Sequence, residues 1–544
     1  MPTELVQFDD WSGGDEGRHR PVKSDPRKIR GTNAWTYPSG GLGPRPPFQK
    51  VSITGLPQAK LNVFHLMRPS TGGVSTRYFF GFSDGKVYMV PSGTNVATLV
   101  GTMTNPPVDA VTIGDYVYFV SNTGHGAKCS AAGVLSGVSA MPAGDAIEQL
   151  GDRTVITNAA DGGVVHGKIR VSAAANPDEW PAANEIRIGA QNQMIMGVYV
   201  QRNTLVLPKF DGGLWVMRGV PTVNEVLRQE DLTALHTLPR RARGAVCGQS
   251  NLWYCSDRDM VKFTGAQAVL EPRPDIPVTA GYNVSIWSNN VGAVAPLVDD
   301  DEFVMVGTVD QTADTNTKLA WVQIHRPQDG WTRHVPQIGP FRVTYPTEVS
   351  TDNSTGVQVA KISPGGIMFL CSGSDTSANS GRAPQVYVFN SRQEYPHIPV
   401  GDVNSWAATS LTLNDGDSSA PVVADVRMAE HWDDEGRQLT VTSVVVDYSY
   451  NPNITPLSTY NRFDISVEAL QNPGSSTVVT SSVQSFVPTG SGSTPDGSPI
   501  IRGQERFGFG DQGAGMGFRI RFSDWRGIVI HRVTVFVDAT DGLR

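Results

Sequence analysis

Residues 78–90 read YFFGFSDGKVYMV, two runs of β-forming side chains on either side of the dipeptide Asp84–Gly85. An Asp-Gly pair between such runs is the strongest local signal for a β-hairpin, because both residues accept the positive φ angles of a tight turn. The stretch therefore predicts two antiparallel strands joined by a short turn. It also sets the pattern for the middle of the chain.

Six further phrases of the same kind follow. Each has a β-rich run close to a Gly- or Asp-containing turn, and the seven runs begin at residues 78, 116, 154, 204, 252, 303 and 367. Their average spacing is about 48 residues, which is typical of propeller blades with four strands each. A lone hairpin cannot bury both of its faces, so radial stacking of similar units is favourable. We expect an all-β fold with an irregular β-propeller of six or seven blades over residues 51–404; two unrelated β-sandwiches are the alternative.

The first 50 residues differ from these phrases. They combine many turn residues with basic and aromatic side chains. Such a segment cannot build a core of its own, so its aromatic rings need a partner surface, either on the propeller or on a neighbouring subunit. We interpret residues 1–50 as an extended N-terminal arm. The candidate assembly contacts in it are Arg30, Trp35, Tyr37, Arg45 and Phe48.

The pattern changes again beyond residue 404. The stretches 439–446, 463–467, 518–522 and 533–537 alternate between apolar and polar residues with a period of two. This alternation predicts strands with one buried face, as in a sandwich. We expect a C-terminal, sandwich-like β-rich domain over residues 405–544.

The composition favours a globular protein with many turns. The 57 glycines and 37 prolines are spread over all 544 residues, which favours many short strands. A net charge of -8 argues against a general nucleic-acid binder, whose binding face is basic, but it suits a wall that DNA slides past. No apolar run approaches about 18 residues, so we expect no membrane anchor. The first residues lack the apolar core of a secretory signal, and we expect synthesis in a cytoplasm.

Residue patterns typical of catalysis, metal binding or cofactor binding are weak. The four cysteines form no C-x-x-C pair, and His325 and His334 flank a turn without a third metal ligand. A glycan-degrading propeller needs two carboxylates about 5–9.5 Å apart. Asp161, Asp211 and Asp257 lie in blade loops, where Asp also favours turns. We expect no catalytic, metal or cofactor site and no enzyme; a carbohydrate-binding or glycan-degrading propeller is the alternative.

Several stretches resemble tail proteins of tailed bacteriophages. A Gly13–Gly14 pair is followed by residues 30–48, RGTNAWTYPSGGLGPRPPF, with an Asn, a glycine turn and a basic residue next to Pro. Residues 170–180, RVSAAANPDEW, are similar to a strand exit in those proteins, and 506–537 is similar to their closing β-domain. The chain resembles the tail tubular protein B, or tail nozzle, family of short-tailed phages.

This resemblance implies a structural protein of the virion tail, made in the cytoplasm of the bacterial host. It implies a homohexameric ring below the portal and adaptor, with one propeller per subunit and a central channel for DNA ejection. The implied partners are other copies of the chain, the adaptor or portal, and tail fibres, with transient DNA passage and no sequence-specific binding. The resemblance implies no catalytic residues, and a baseplate or minor tail protein is the alternative role.

Overall fold

The computed structural model describes residues 3–11, 30–36, 40–46, 48–67, 77–91, 93–161, 163–189, 193–201, 204–209, 214–218, the strands and a few adjoining residues between 228 and 390, and then 422–433, 436–450, 462–470, 478–488, 501–523 and 528–540. These residues form forty-one β-strands and one 3-10 turn at Ala182–Asn184. The all-β prediction is confirmed.

Twenty-eight of these strands form seven four-stranded antiparallel sheets, the blades of a β-propeller. Blade 1 consists of β6 (Leu61–Met67), β7 (Arg77–Phe82), β8 (Lys86–Pro91) and β9 (Thr98–Thr102). Blade 2 consists of β10 (Asp109–Ile113), β11 (Tyr116–Val120), β12 (Ala127–Ser130) and β13 (Leu135–Gly137). Blade 3 consists of β14 (Ala146–Leu150), β15 (Arg153–Thr157), β16 (Lys168–Val171) and β17 (Glu185–Arg187). Blades 4 and 5 are β18 (Tyr199–Gln201), β19 (Thr204–Pro208), β20 (Leu214–Arg218) and β21 (Arg228–Asp231); β22 (Val246–Cys247), β23 (Leu252–Cys255), β24 (Met260–Phe263) and β25 (Ala268–Glu271). Blades 6 and 7 are β26 (Val291–Pro296), β27 (Phe303–Thr308), β28 (Ala320–Arg326) and β29 (Gly330–His334); β30 (Gln358–Val359), β31 (Ile367–Cys371), β32 (Val386–Asn390) and the early strand β5 (Gln49–Val51).

The blades close into a ring. The first strand of each blade contacts the first strand of the next, and β30 of blade 7 contacts β6 of blade 1. The outermost strand of blade 7 is β5, so Val51 lies opposite Val386 although the chain places it before blade 1. A strand from one end of the propeller sequence therefore completes the blade at its other end.

The seven phrases found in the sequence each mark a separate blade. In every case the run is the second strand, from β7 in blade 1 to β31 in blade 7. The second strands β11, β15 and β19 are buried along nearly their whole length, whereas the outer strands β9, β13 and β17 contain only half-buried and exposed residues. The apolar signal is therefore strongest at the second strand, and the expected six or seven blades are seven.

The remaining strands form a sandwich of two sheets. They are β1 (Thr3–Phe8), β2 (Arg30–Thr32), β3 (Ala34–Thr36), β4 (Leu42–Pro44), β33 (Val423–Arg427), β34 (His431–Trp432), β35 (Gln438–Tyr450), β36 (Phe463–Leu470), β37 (Val478–Phe486), β38 (Ile501–Gly508), β39 (Gln512–Gly513), β40 (Gly515–Ser523) and β41 (Val529–Thr540). One sheet has the order β3-β4-β41-β35-β38, with β1 on β41 and β39 on β35; the other has the order β2-β33-β40-β36-β37, with β34 on β40. Alternate apolar residues of both sheets form one core, as the period-two pattern predicts.

The N-terminal segment differs from the expected arm. Its strands β1 to β4 pair within the sandwich, and Phe8 and Trp11 are buried in the sandwich core. The expected boundary between residues 50 and 51 falls inside β5, which belongs to the propeller. The expected boundary at 404 and 405 lies outside the described residues. The physical reason is that these short strands complete sheets whose other strands lie far along the chain: β2 pairs with β33, and the β3–β4 hairpin joins β41.

Candidate functional site

The junction between the propeller and the sandwich contains most of the residues named as assembly contacts. Strand β29 of blade 6 contacts β2 and β3 of the sandwich. The indole of Trp35 on β3 is 1% exposed, and its ring centroid lies 5.9 Å from that of His334 on β29. His334 is itself buried, with Nε2 at 3.0 Å from Thr332 Oγ1. An aromatic pair thus joins the two domains.

Arg45 connects the same two domains through the segment between β4 and β5. Its side chain is fully buried, and its guanidinium lies 4.9 Å from the ring centroid of Phe48. The guanidinium donates to Asn33 Oδ1 at 3.2 Å and to the Pro46 carbonyl at 2.9 Å. Asn33 has a φ of 60° and donates from Nδ2 to the Val423 carbonyl at 3.1 Å. The Arg45 guanidinium, the Phe48 ring and the Asn33 amide all have partners. The segment between β4 and β5 therefore takes one defined path from the sandwich to the propeller.

The structure brings Trp35, Arg45 and Phe48 together but in a different role from the expected one. Their side chains are buried against this same chain, so in this conformation they offer no surface to a neighbouring subunit. The backbone of Arg30 pairs with Arg427 in the sandwich, and Tyr37 lies outside the described residues. The sequence shows that these aromatic and basic residues need a partner surface, but it does not show that the partner lies within the chain.

Side chains also tie successive blades to one another. The sequence analysis missed these residues, because a single Asn, Asp or Gln carries no distinctive spacing. The hydrogen bonds run from Asn62 Nδ2 to the Pro107 carbonyl at 3.1 Å, from Ile147 N to Asp109 Oδ2 at 3.0 Å, from Asn158 Nδ2 to the Ile195 carbonyl at 2.9 Å, and from Gln201 Nε2 to the Phe263 carbonyl at 3.5 Å. Each of the first four blades is therefore linked to the following one.

Asn158 is the most connected of these residues. It is fully buried with a φ of 51°. Its Oδ1 accepts hydrogen bonds from Ile195 N at 3.0 Å and Gly167 N at 3.2 Å, and its Nδ2 also donates to Asp145 Oδ2 at 2.8 Å. Asn tolerates the left-handed region better than most residues, which allows this turn to aim the amide at the next blade.

A cluster of ionisable side chains in blade 3 is arranged as ion pairs. Arg170, nearly buried, pairs with Asp161 and with Glu185, and Lys168 also pairs with Glu185. Burial alone would raise the pKa of Glu185, but the hydrogen bonds and charges of Lys168 and Arg170 together lower it below its ordinary value. Asp161 and Glu185 are thus both engaged with the guanidinium of Arg170.

Other candidates for chemistry are either separated or outside the described residues. Asp211 and Asp257 fall outside them. His325 lies opposite Trp331 in the β28–β29 hairpin and His334 lies opposite Val322, so the two histidines are not cross-strand partners. Among the described residues, no group of three His, Cys, Asp or Glu side chains is placed to hold a metal ion.

One exposed aromatic residue stands in a polar setting on blade 2. Tyr116 is 41% exposed, and the ammonium of Lys128 lies 5.1 Å from its ring centroid. Lys128 forms an ion pair with Asp178, which also accepts a hydrogen bond from the hydroxyl of Tyr118 at 3.0 Å. Burial and this hydrogen bond raise the pKa of Tyr118, so its hydroxyl remains a donor at neutral pH.

Comparisons with known proteins leave the family open. No protein-family model matches the chain, and no curated protein matches it. Among solved structures the chain is similar to Raptor of Chaetomium thermophilum, with a TM-score of 0.41 and 12% identity over 63% of this chain. The match covers 30% of the length of that protein. In the part of the chain that the structure describes, no helix is long and apolar enough to span a membrane.

Proposed function

We propose that this chain is a non-enzymatic structural component of a tailed-phage tail, a nozzle or tube protein that forms part of a DNA ejection channel as a homo-oligomeric ring. The observation that supports this most directly is that early strands pair with late strands of the sequence in both domains. The sandwich is built from strands at the start and the end of the sequence, and β5 completes the propeller. Such a subunit resists deformation, which a conduit for DNA requires.

The location of the resemblance adds to this proposal. Residues 30–48, which resemble the opening of tail proteins, supply β2, β3 and β4 and the Arg45–Phe48 contact that leads into the propeller. In a ring of such subunits the two domains would keep a fixed relation during DNA passage. The net charge of -8 disfavours tight binding of phosphate, so DNA can slide past.

The proposal is tested with the purified full-length chain. Mass photometry and negative-stain imaging should show rings of a single size, which should be hexamers if the chain is a nozzle protein. Antibody labelling should place the chain in the tail of the virion. Addition of adaptor, portal or fibre proteins should yield a larger complex. A chain that remains monomeric over a wide concentration range and is absent from virions would overturn the proposal.

The carbohydrate-binding alternative has one specific observation in its favour, the exposed Tyr116 ring beside Lys128 and Asp178. An aromatic face next to hydrogen-bonding groups is a surface on which a sugar ring can stack. A glycan array compares the wild-type chain with Tyr116→Ala and with Val134→Ala, a control at another exposed position of the same blade. Binding that only Tyr116→Ala abolishes would favour this function, and an array without signal would remove it.

A further inference from the structure

The edge strand β37 is unusual in its composition. Among the described strands its one neighbour is β36, so its other side is a sheet edge. Residues 478–486 read VVTSSVQSF, without a charged residue, Pro or Gly. Sheet edges are normally protected by such residues against pairing with other chains. Val483, near the middle of the strand, is 58% exposed. This edge is therefore suited to accept another strand.

A second open edge is formed by β1. Among the described strands it pairs with β41 alone. Its residues Thr3, Glu4 and Leu5 are exposed, with Leu5 at 54%. The single charge of this strand, on Glu4, faces His431 of the same chain at 3.2 Å and so does not block the edge.

The two edges lie on opposite sides of the sandwich. Ser482 on β37 donates a hydrogen bond to Asp511 at 2.9 Å, so β37 lies beside the end of the other sheet that carries β38 and β39. The Glu4–His431 contact places β1 beside β34. Strands β41 and β35 of one sheet and β40 and β36 of the other separate the two sides. Two complementary edges on opposite sides can connect copies head to tail.

The neighbouring edge strand β38 provides a contrast within the same domain. Its residues 501–508 read IRGQERFG and include three charges. Arg506 is used within the chain, since its guanidinium lies 5.2 Å from the ring centroid of Phe536 and donates to Ser443 Oγ. Even with Arg506 engaged, Arg502 and Glu505 give this edge charges that β37 lacks, so we assign the pairing to β37.

We propose that β37 of one subunit pairs with β1 of a second copy of this chain, in a head-to-tail contact that extends the sandwich sheets from subunit to subunit. A contact between two different surfaces either closes into a ring or continues as a filament. The closed ring in this inference therefore rests on the proposed function. One strand pair is small compared with a stable interface of about 1,600 Å². Closure, in which each subunit uses both edges, makes the assembly stable and concentration-dependent.

Cysteine variants of the full-length chain test the contact directly. Leu5→Cys and Val483→Cys, mixed and treated with a short bifunctional maleimide, should give a cross-linked dimer, whereas neither variant alone should. The double variant should give a ladder of products. The controls are the wild-type chain, which has four cysteines of its own, and a mixture of Leu5→Cys with Val134→Cys. A dimer from Val483→Cys alone would overturn the head-to-tail arrangement.

A charge on the edge provides the second measurement. Val483→Lys should raise the protein concentration at which half of the chains are oligomeric by at least tenfold. Val134→Lys, at another exposed valine, should leave that concentration unchanged. Both positions are exposed, so circular dichroism should show unchanged folding. If rings persist in Val483→Lys and no cross-link forms, the edge contact is wrong and the ring function stands. If cross-linked filaments form without rings or virion association, the contact stands and the nozzle function is wrong. A monomer without cross-links overturns both.

Discussion

The hairpin turn of blade 1 is sensitive to one methyl group at Gly85. This residue has a φ of +82°, and a Cβ placed on it would lie 2.3 Å from the backbone carbonyl oxygen of Met103. Its own carbonyl accepts the amide of Met103 at 2.8 Å. The left-handed conformation costs a non-glycine residue roughly 1–2 kcal/mol. Displacement of Met103 weakens a hydrogen bond that contributes about 1 kcal/mol. Gly85→Ala should therefore destabilise blade 1 by about 3 kcal/mol.

Gly114 provides a control in a turn of blade 2, between its first and second strands. Its φ is +58°, but an added Cβ would meet nothing within 4 Å. Gly114→Ala should therefore show the conformational cost alone, about 1–2 kcal/mol. Thermal unfolding compares the two variants, and hydrogen exchange at the Met103 amide reports the local effect. Equal losses in the two variants, or an unchanged exchange rate at Met103, would refute the role of the close approach.

Three other positions give further predictions. Asn158→Ala removes four hydrogen bonds, three of them buried, and should lower the free energy of unfolding by about 3 kcal/mol, whereas Asn158→Gly, which keeps the left-handed φ, should lose less; equal losses would show that the backbone conformation contributes nothing. Because the pKa of Glu185 is lowered in the folded chain, its ion pairs stabilise the protein above the ordinary value of 4.5, and this contribution is lost as the pH falls through the lower folded pKa. The stability difference between wild type and Glu185→Gln should therefore shrink below about pH 4.5, and a difference that is constant in acid-unfolding titrations would contradict it. Burial raises the pKa of Cys129 to about 12, so its thiol should not react with maleimide at pH 8 until the blade unfolds, as peptide mapping can show.

The parts of the fold that the sequence predicts are those with a local apolar signal. Strand β19 is buried along its whole length, and its apolar residues Leu205, Val206 and Leu207 mark the blade. The outer strand β9 is largely exposed and carries no such mark. This is why seven phrases were recognised while the full set of strands was not.

The candidate site was less predictable because its partners are distant in sequence. Trp35 contacts His334, and Asn33 donates to Val423, across about three hundred residues or more. Neither pair has a spacing that a sequence pattern reveals. The aromatic and basic character of the segment indicates a need for burial, but only the sheet pairing shows that the chain itself provides the surface.

The completion of blade 7 by β5 has a consequence for biogenesis. Strand β5 leaves the ribosome before blade 1, and its partner β32 is made only after the other six blades. The sandwich likewise waits for β41 before β1 finds a neighbour and before the β3–β4 hairpin joins its sheet. Neither domain can be completed before these late strands are made, and contacts of such long sequence separation form slowly. The nascent chain therefore exposes unpaired strands until β41 has been made, and chaperone protection at that stage should limit its yield more than final stability does.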